Sequence, residues 1–182
     1  MPLTLLLTLL LILIDLDERF PMPNQMERKY EYHRMLPHYQ KAGRILFITF
    51  CKWNRIAFTP EAKDAILEHC LHDNNKRYDL HAAVVMPDHV HLLLIPLRDE
   101  KGWPHSLPTI LKLLKGTSAR SVNKLQGSHG PVWQEESFEH VLRSQESFEE
   151  KLEYLKQNPV RRGLVQKPED YKWLWVEQTP GK

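Results

Sequence analysis

The hydrophobic and polar positions of this chain predict short strands alternating with amphipathic helices. After a polar, aromatic-rich entry (Glu27 to Lys41), the β-branched and aromatic run Ile45-Leu46-Phe47-Ile48-Thr49-Phe50 reads as a buried strand. Thr59-Pro60-Glu61 opens a helix, with a hydroxyl at the N-cap and proline at the first helical position, and this helix runs to about Leu71. A second strand covers roughly Tyr78 to Val85, Met86-Pro87-Asp88 supplies turn chemistry, and His89 to Ile95 forms a third strand. Leu107, Ile110, Leu111 and Leu114 fall at i, i+3, i+4 and i+7, one face of an amphipathic helix. Gly127 to Gly130 is a loop, and Phe138 to Leu142 predicts a short fourth strand. Ser147 to Glu150 fits a capping box opening a last helix through about Gln157, which Asn158-Pro159 ends, because the residue before a proline is pushed out of the helical region. The first six elements match the split βαβ, ferredoxin-like arrangement. The expected fold is therefore α+β: an antiparallel sheet with helices on one face, plus a C-terminal helix.

With 182 residues, one domain with a substantial core is expected, assigned to residues 27–182. Residues 1–26 form an apolar extension. Leu3 to Ile14 is broken only by Thr4 and Thr8, and is too short for a membrane span of about 20 residues. It also lacks the basic flank and cleavage site of a secretory signal. Met22 and Met26 follow closely, so the extension is expected to be a start-site artefact, with a short membrane-associating arm as the alternative.

Hydrophobic content of 42% and charged content of 26% suit a soluble globular protein, and no stable membrane partner is expected. A net charge of +2 is too small to establish a nucleic-acid partner, but its distribution is uneven. From Lys101 through Gln134 there is no acidic residue, while Lys101, Lys112, Lys115, Arg120 and Lys124 all fall there. Such a surface suits a phosphate backbone; a solvated helix face is the alternative. Cys51 and Cys70 form no motif and read as buried free thiols of a reducing cytoplasm.

Alternation along a strand points His89 and His91 to the same side, about 7 Å apart at the backbone, where they can converge on one divalent ion. A bare His-x-His also suits a half-polar sheet face without a metal. Here Leu92-Leu93-Leu94-Ile95 makes the strand central and buried, and buried imidazoles need partners. On the last helix Phe148, Leu152 and Leu155 form the core stripe, and Tyr154 lies about 120° from it. Asn158 shares the side of Tyr154 if the last turn persists. An exposed or interface tyrosine is the other reading of Tyr154.

Val85-Met86-Pro87-Asp88-His89-Val90-His91-Leu92-Leu93 resembles the His-hydrophobic-His (HUH) motif of insertion-sequence tyrosine transposases, above all the REP-associated tyrosine transposases. The resemblance continues in Leu36-Pro37-His38-Tyr39, Phe47-Ile48-Thr49-Phe50, Lys115-Gly116-Thr117-Ser118-Ala119-Arg120 and Pro131-Val132-Trp133-Gln134. It extends through Phe138 to Arg143, Tyr154 to Val165 and Pro168-Glu169-Asp170-Tyr171. Glu139 stands where the family commonly has Asp, Leu155-Lys156 where it has Ile-His, and a Ser-Ser pair is replaced around Trp173-Leu174-Trp175. None of these departures removes a residue the chemistry requires.

The resemblance implies cleavage and rejoining of single-stranded DNA, including REP-type hairpins, through a 5′-phosphotyrosine intermediate. It implies Tyr154 as nucleophile and His89, His91 and Asn158 as metal ligands. A free phenol has a pKa of about 10, so forming phenolate at pH 7 costs roughly 4 kcal/mol, and a divalent ion at the phosphate offsets part of that barrier. Mg²⁺ is the expected ion, with Mn²⁺ substituting because it accepts nitrogen ligands more readily. Lys112, Lys115, Arg120, Lys124, Arg161 and Arg162 are candidates for phosphate contact. Tyr30, Tyr32, Trp133 and the C-terminal tryptophans are candidates for base stacking, with core packing as the other role for each. The protein is expected in the cytoplasm as a monomer or homodimer. Two alternatives are a non-catalytic hairpin-binding protein and a metal hydrolase using water, which would leave Tyr154 without a role.

Overall fold

Five antiparallel strands form one sheet in the order β4-β1-β3-β2-β5, with the histidine strand β3 at its centre. The computed structural model describes residues 43–178, apart from Arg55, Arg143 and the side chain of Glu146. The apolar extension, the entry segment with Tyr30 and Tyr32, and the Leu36–Tyr39 block lie outside the described residues. Every described element belongs to one unit, His38–Lys182. The chain order is β1 (Leu46–Lys52), α1 (Pro60–His72), β2 (Tyr78–Val85), β3 (His89–Pro96), α2 (Leu107–Gln126), β4 (Trp133–Val141) and α3 (Gln145–Arg161). A single 3₁₀ turn (Pro168–Asp170) and β5 (Leu174–Val176) follow.

The α+β class and the 4-1-3-2 core of the ferredoxin-like arrangement agree with the sequence reading. The edge strand β5 is an addition to it. Only three residues long, Leu174-Trp175-Val176 falls below the length at which a period-2 pattern can be recognised. It pairs with β2 through Val84↔Leu174, Ala83↔Trp175 and Ala82↔Val176. β4 is also longer than expected, starting at Trp133 rather than Phe138.

Two apolar clusters lie against opposite faces of the sheet. On one face Ile48, Phe50, Val90, Leu92 and Leu94 pack with Ile66 of α1 and with Ile110 and Leu114 of α2. On the other, Phe47, Ala82, Val84 and Leu93 pack with Leu155 of α3, while Phe148 and Leu152 line the margin. The first two helices thus share a face, as expected, and α3 covers the other. The face on which a β3 side chain lies follows from its parity, so His89, His91 and Leu93 all lie on the face that α3 covers.

The ends of α3 differ from expectation in two ways. Ser144, not Ser147, is the N-cap: its Oγ accepts from the backbone N–H of Ser147 at 3.1 Å. Pro159 lies inside the helix rather than ending it. The end is set instead by Gly163, whose φ of 66° is left-handed. Its N–H donates to Val160 O at 2.9 Å and that of Leu164 to Pro159 O at 2.9 Å, the two bonds of a Schellman motif. Proline this close to a helix end forfeits one backbone bond, which the burial of Leu155, Asn158 and Pro159 offsets. The persistence of that last turn keeps Asn158 helical.

Candidate active site

The tight turn Met86-Pro87-Asp88, closed by Met86 N–H donating to His89 O at 2.8 Å, delivers the chain directly into β3 at His89. The two histidines are buried, with 7% and 5% of their surface exposed. Their Nε2 atoms lie 3.1 Å apart, and Asn158 Nδ2 lies 3.1 Å from His91 Nε2. The three residues predicted as ligands are therefore brought to one point, two from β3 and one from α3.

The other ring nitrogens are each held. His89 Nδ1 is 2.7 Å from Asp88 Oδ1; a carboxylate only accepts, so Nδ1 is the donor and Nε2 is the atom turned toward His91. His91 Nδ1 is 2.7 Å from Thr49 Oγ1, because β1 pairs with β3 in the register Thr49↔His91. Burial chiefly, and then the charges of His89, Arg162 and Lys151, hold the His91 imidazole well below the usual histidine range. It is therefore neutral at physiological pH, as a ligand must be.

This donor set fits a divalent ion. Two ligand atoms about 2.1 Å from one ion and at right angles to it lie about 3 Å apart, close to the observed 3.1 Å spacings. A half-turn of the Asn158 amide would present Oδ1 in place of Nδ2, giving two nitrogens and one oxygen. Among the described residues, Asp79, His81 and Glu177 form a separate cluster with ligand-type atoms within 4.8 Å of one another. It belongs to the β2 bulge and the end of β5, toward the opposite end of β2 from the Val84↔His91 pairing.

Tyr154 stands beside the histidines. Its ring is half-buried and meets His91 edge-on at 5.7 Å between centroids and Phe47 at 6.0 Å. Phe47 stacks on His91 at 5.4 Å, so one phenylalanine supports both rings. Within a single chain, the tyrosine and the histidine pair are thus already neighbours. Lys151 Nζ lies 5.5 Å and the Arg161 guanidinium 5.4 Å from the Tyr154 ring centroid.

The remaining predicted positions divide. Arg161 and Arg162 are exposed at the α3 end beside the site. Lys112, Arg120 and Lys124 are exposed on α2, which packs on the face of the sheet opposite the histidines. Lys115 ties α2 to β4, donating to Glu135 O at 2.8 Å and Ser137 Oγ at 3.2 Å. Trp133 is buried against Phe50 and Phe58, and Trp173 donates to Asp64 Oδ1 at 2.8 Å beneath Lys63, so both tryptophans pack within the fold. Cys70 is buried, as expected, but Cys51 is only half-buried. Thr49, Phe47, Asp88 and Lys151 were not identified as site residues from sequence. Asp88 and Lys151 carried a local signal, one by adjacency to His89 and the other by its spacing of three from Tyr154 on one helix.

Three comparisons with known proteins bear on this arrangement. A curated relative from Haemophilus influenzae, assigned by name to the REP-associated tyrosine transposases, is 24% identical over 95 residues. That alignment spans 50% of this chain and 54% of the relative, about half the length of each. A solved REP-associated tyrosine transposase bound to a REP hairpin superposes with a TM-score of 0.62 at 20% identity, covering 76% of this chain and 80% of that one. That likeness establishes the shared fold. The family model for IS200-like transposases matches residues 40–158, a span running from before β1 through the histidine pair and Tyr154 to Asn158. Well over half of the chain, including both halves of the site, is covered by that match, and the protein belongs to the IS200-like transposase family.

Proposed function

We propose that the protein is a metal-dependent tyrosine endonuclease and strand transferase. It acts on single-stranded DNA with REP-like hairpins through a 5′-phosphotyrosine intermediate. The observation that carries this reading is the convergence of His89, His91 and Asn158 to 3.1 Å spacings beside the ring of Tyr154. The hairpin substrate is taken from the REP-hairpin complex that the fold resembles.

His89, His91 and Asn158 would hold Mg²⁺ or Mn²⁺, which when bound supplies Lewis-acid polarisation of a phosphate oxygen. The chain's own residues do the rest. Asp88 and Thr49 orient the imidazoles. Phe47 holds the phenol at the edge of His91. Tyr154 Oη attacks phosphorus; the Oη–P bond forms as the P–O3′ bond breaks. The phenolic proton is lost, and the leaving 3′ oxygen takes up one proton to become a 3′-OH. Rejoining reverses these steps, and the phosphodiester energy is kept in the phosphotyrosine, so no nucleotide cofactor is needed. Because Tyr154 adjoins the histidines of its own chain, the site works in cis, whether the protein is a monomer or a homodimer. Arg161 and Arg162 are the phosphate contacts nearest the reaction, and Lys112, Lys115, Arg120 and Lys124 would serve only DNA that reaches the other face. A DNA substrate of this kind implies action in the cytoplasm.

The test is incubation with a labelled hairpin bearing single-stranded flanks and Mn²⁺, followed by denaturing electrophoresis. A covalent adduct that disappears in Tyr154→Phe is the expected result, and His89→Ala is expected to abolish cleavage while retaining DNA binding. Cleavage surviving in Tyr154→Phe would instead indicate a water-dependent hydrolase. Tight binding with no cleavage would indicate a hairpin-binding protein.

A further inference from the structure

We propose that Lys151 is a catalytic residue that holds the scissile phosphate on the tyrosine side of the site; this rests on the nuclease reading above. Lys151, Tyr154, Asn158 and Arg161 fall at i, i+3, i+7 and i+10 of α3, a single stripe along the helix. It runs beside the apolar stripe of Phe148, Leu152 and Leu155 that anchors α3 to the sheet. One stripe of α3 thus carries the nucleophile, a metal-type ligand and two cations.

The position of Lys151 is specific. Its ammonium lies 5.5 Å from the Tyr154 ring centroid and 5.3 Å from that of Phe47, the ring stacked on His91. It is half-buried, and among the described residues no carboxylate forms an ion pair with it. A half-buried cation with no ion-pair partner among the described residues, next to a nucleophile, is placed to receive an anion. The anion that must lie between the ligand triad and the Tyr154 hydroxyl is the phosphodiester under attack, whose negative charge builds toward the transition state. Arg161 approaches the same ring at 5.4 Å but is exposed, which suits a flanking phosphate better than the reacting one. A preorganised cation at developing charge contributes most in the transition state and little to ground-state binding.

The experiment compares wild type, K151M, K151Q and K151R with the hairpin substrate and Mn²⁺ in single-turnover adduct formation at saturating DNA. Folding is checked by thermal melting, and K151Q is the second charge-removing variant should K151M fail to fold. K151M is expected to slow adduct formation about 100-fold, with K151R recovering much of the loss and hairpin affinity falling only by the one phosphate contact removed. A second measurement avoids both metal and turnover. In a Tyr154→Phe background with EDTA, the mapped scissile phosphate is replaced by a neutral methylphosphonate. The replacement is expected to weaken binding to protein that retains Lys151 and to leave binding to K151M unchanged. A lysine that only orients the tyrosine ring would lose affinity equally with and without its charge, and that result overturns the assignment. Adduct formation by K151M within twofold of wild type overturns it too. If the wild type forms no adduct, the nuclease reading fails and this assignment with it; a reactive wild type beside an equally reactive K151M refutes this assignment alone.

Discussion

Replacing Thr49 with valine removes one hydroxyl from the site and keeps the β-branched shape that suits β1. Thr49 lies directly across from His91, and among the described residues the 2.7 Å contact between Oγ1 and His91 Nδ1 is the one hydrogen bond to that nitrogen. His91 is 5% exposed, so water cannot take the place of the hydroxyl, and Thr49→Val leaves a buried imidazole nitrogen unsatisfied. The cost to stability is about 1–3 kcal/mol. At roughly 2–4 °C per kcal/mol for a domain of this size, the melting temperature should fall by several degrees. The effect on metal binding should be larger in relative terms. Loss of a group that orients a ligating imidazole typically weakens affinity 10–100-fold, because the ring must then be ordered at the expense of binding energy. The assay is calorimetric titration of Mn²⁺ into the metal-free protein, with thermal melts in EDTA run alongside. Thr49→Ser should restore most of both losses, since it returns the hydroxyl. Mn²⁺ affinity within threefold of wild type in Thr49→Val would refute the argument that the hydroxyl sets the His91 ring.

Leu155 is fully buried where α3 meets the sheet, and Leu155→Ala should destabilise the fold by about 2–5 kcal/mol, measured by urea unfolding. Activity lost by that variant at low temperature, while it is still folded, would show that α3 placement limits catalysis. Both His69 and His91 are held below the usual histidine range, chiefly by burial. The unfolded chain binds protons at these positions from about pH 6.5 downward while the folded chain resists, so stability is fully present above that pH and falls on acidification. Unfolding free energies measured in EDTA between pH 7.5 and 5 should show this decline, and His91→Gln should shallow it. An unchanged slope in His91→Gln would assign the decline to other groups.

Much of the scaffold was legible in sequence because its signals are local. The Thr59-Pro60 start of α1, the limits of β2 and the turn into β3 follow from capping, proline geometry and period-2 alternation, each decided within a few residues. Such rules misplaced the ends of α3, where two structures compete. A capping box at Ser147 and a stop at Pro159 are both reasonable locally, but the Ser144 cap and the Gly163 Schellman motif extend the helix at either end. That extension keeps Asn158 on the stripe of Tyr154.

By itself the sequence determined the α+β class, the shared face of His89 and His91, and the ordered motifs of a transposase family. It could do so because side-chain alternation and motif spacing are properties of the covalent chain. Only the tertiary structure decided which groups surround those histidines. The register Thr49↔His91 is a pairing across 42 residues of chain, and no local period encodes it. Likewise, α3 covers the histidine face because Leu155 buries itself against Phe47 and Leu93, and that packing brings Tyr154, Asn158 and Lys151 to β3. The sequence singled out Tyr154, His89, His91 and Asn158; the packing of one helix on one face of the sheet made them neighbours.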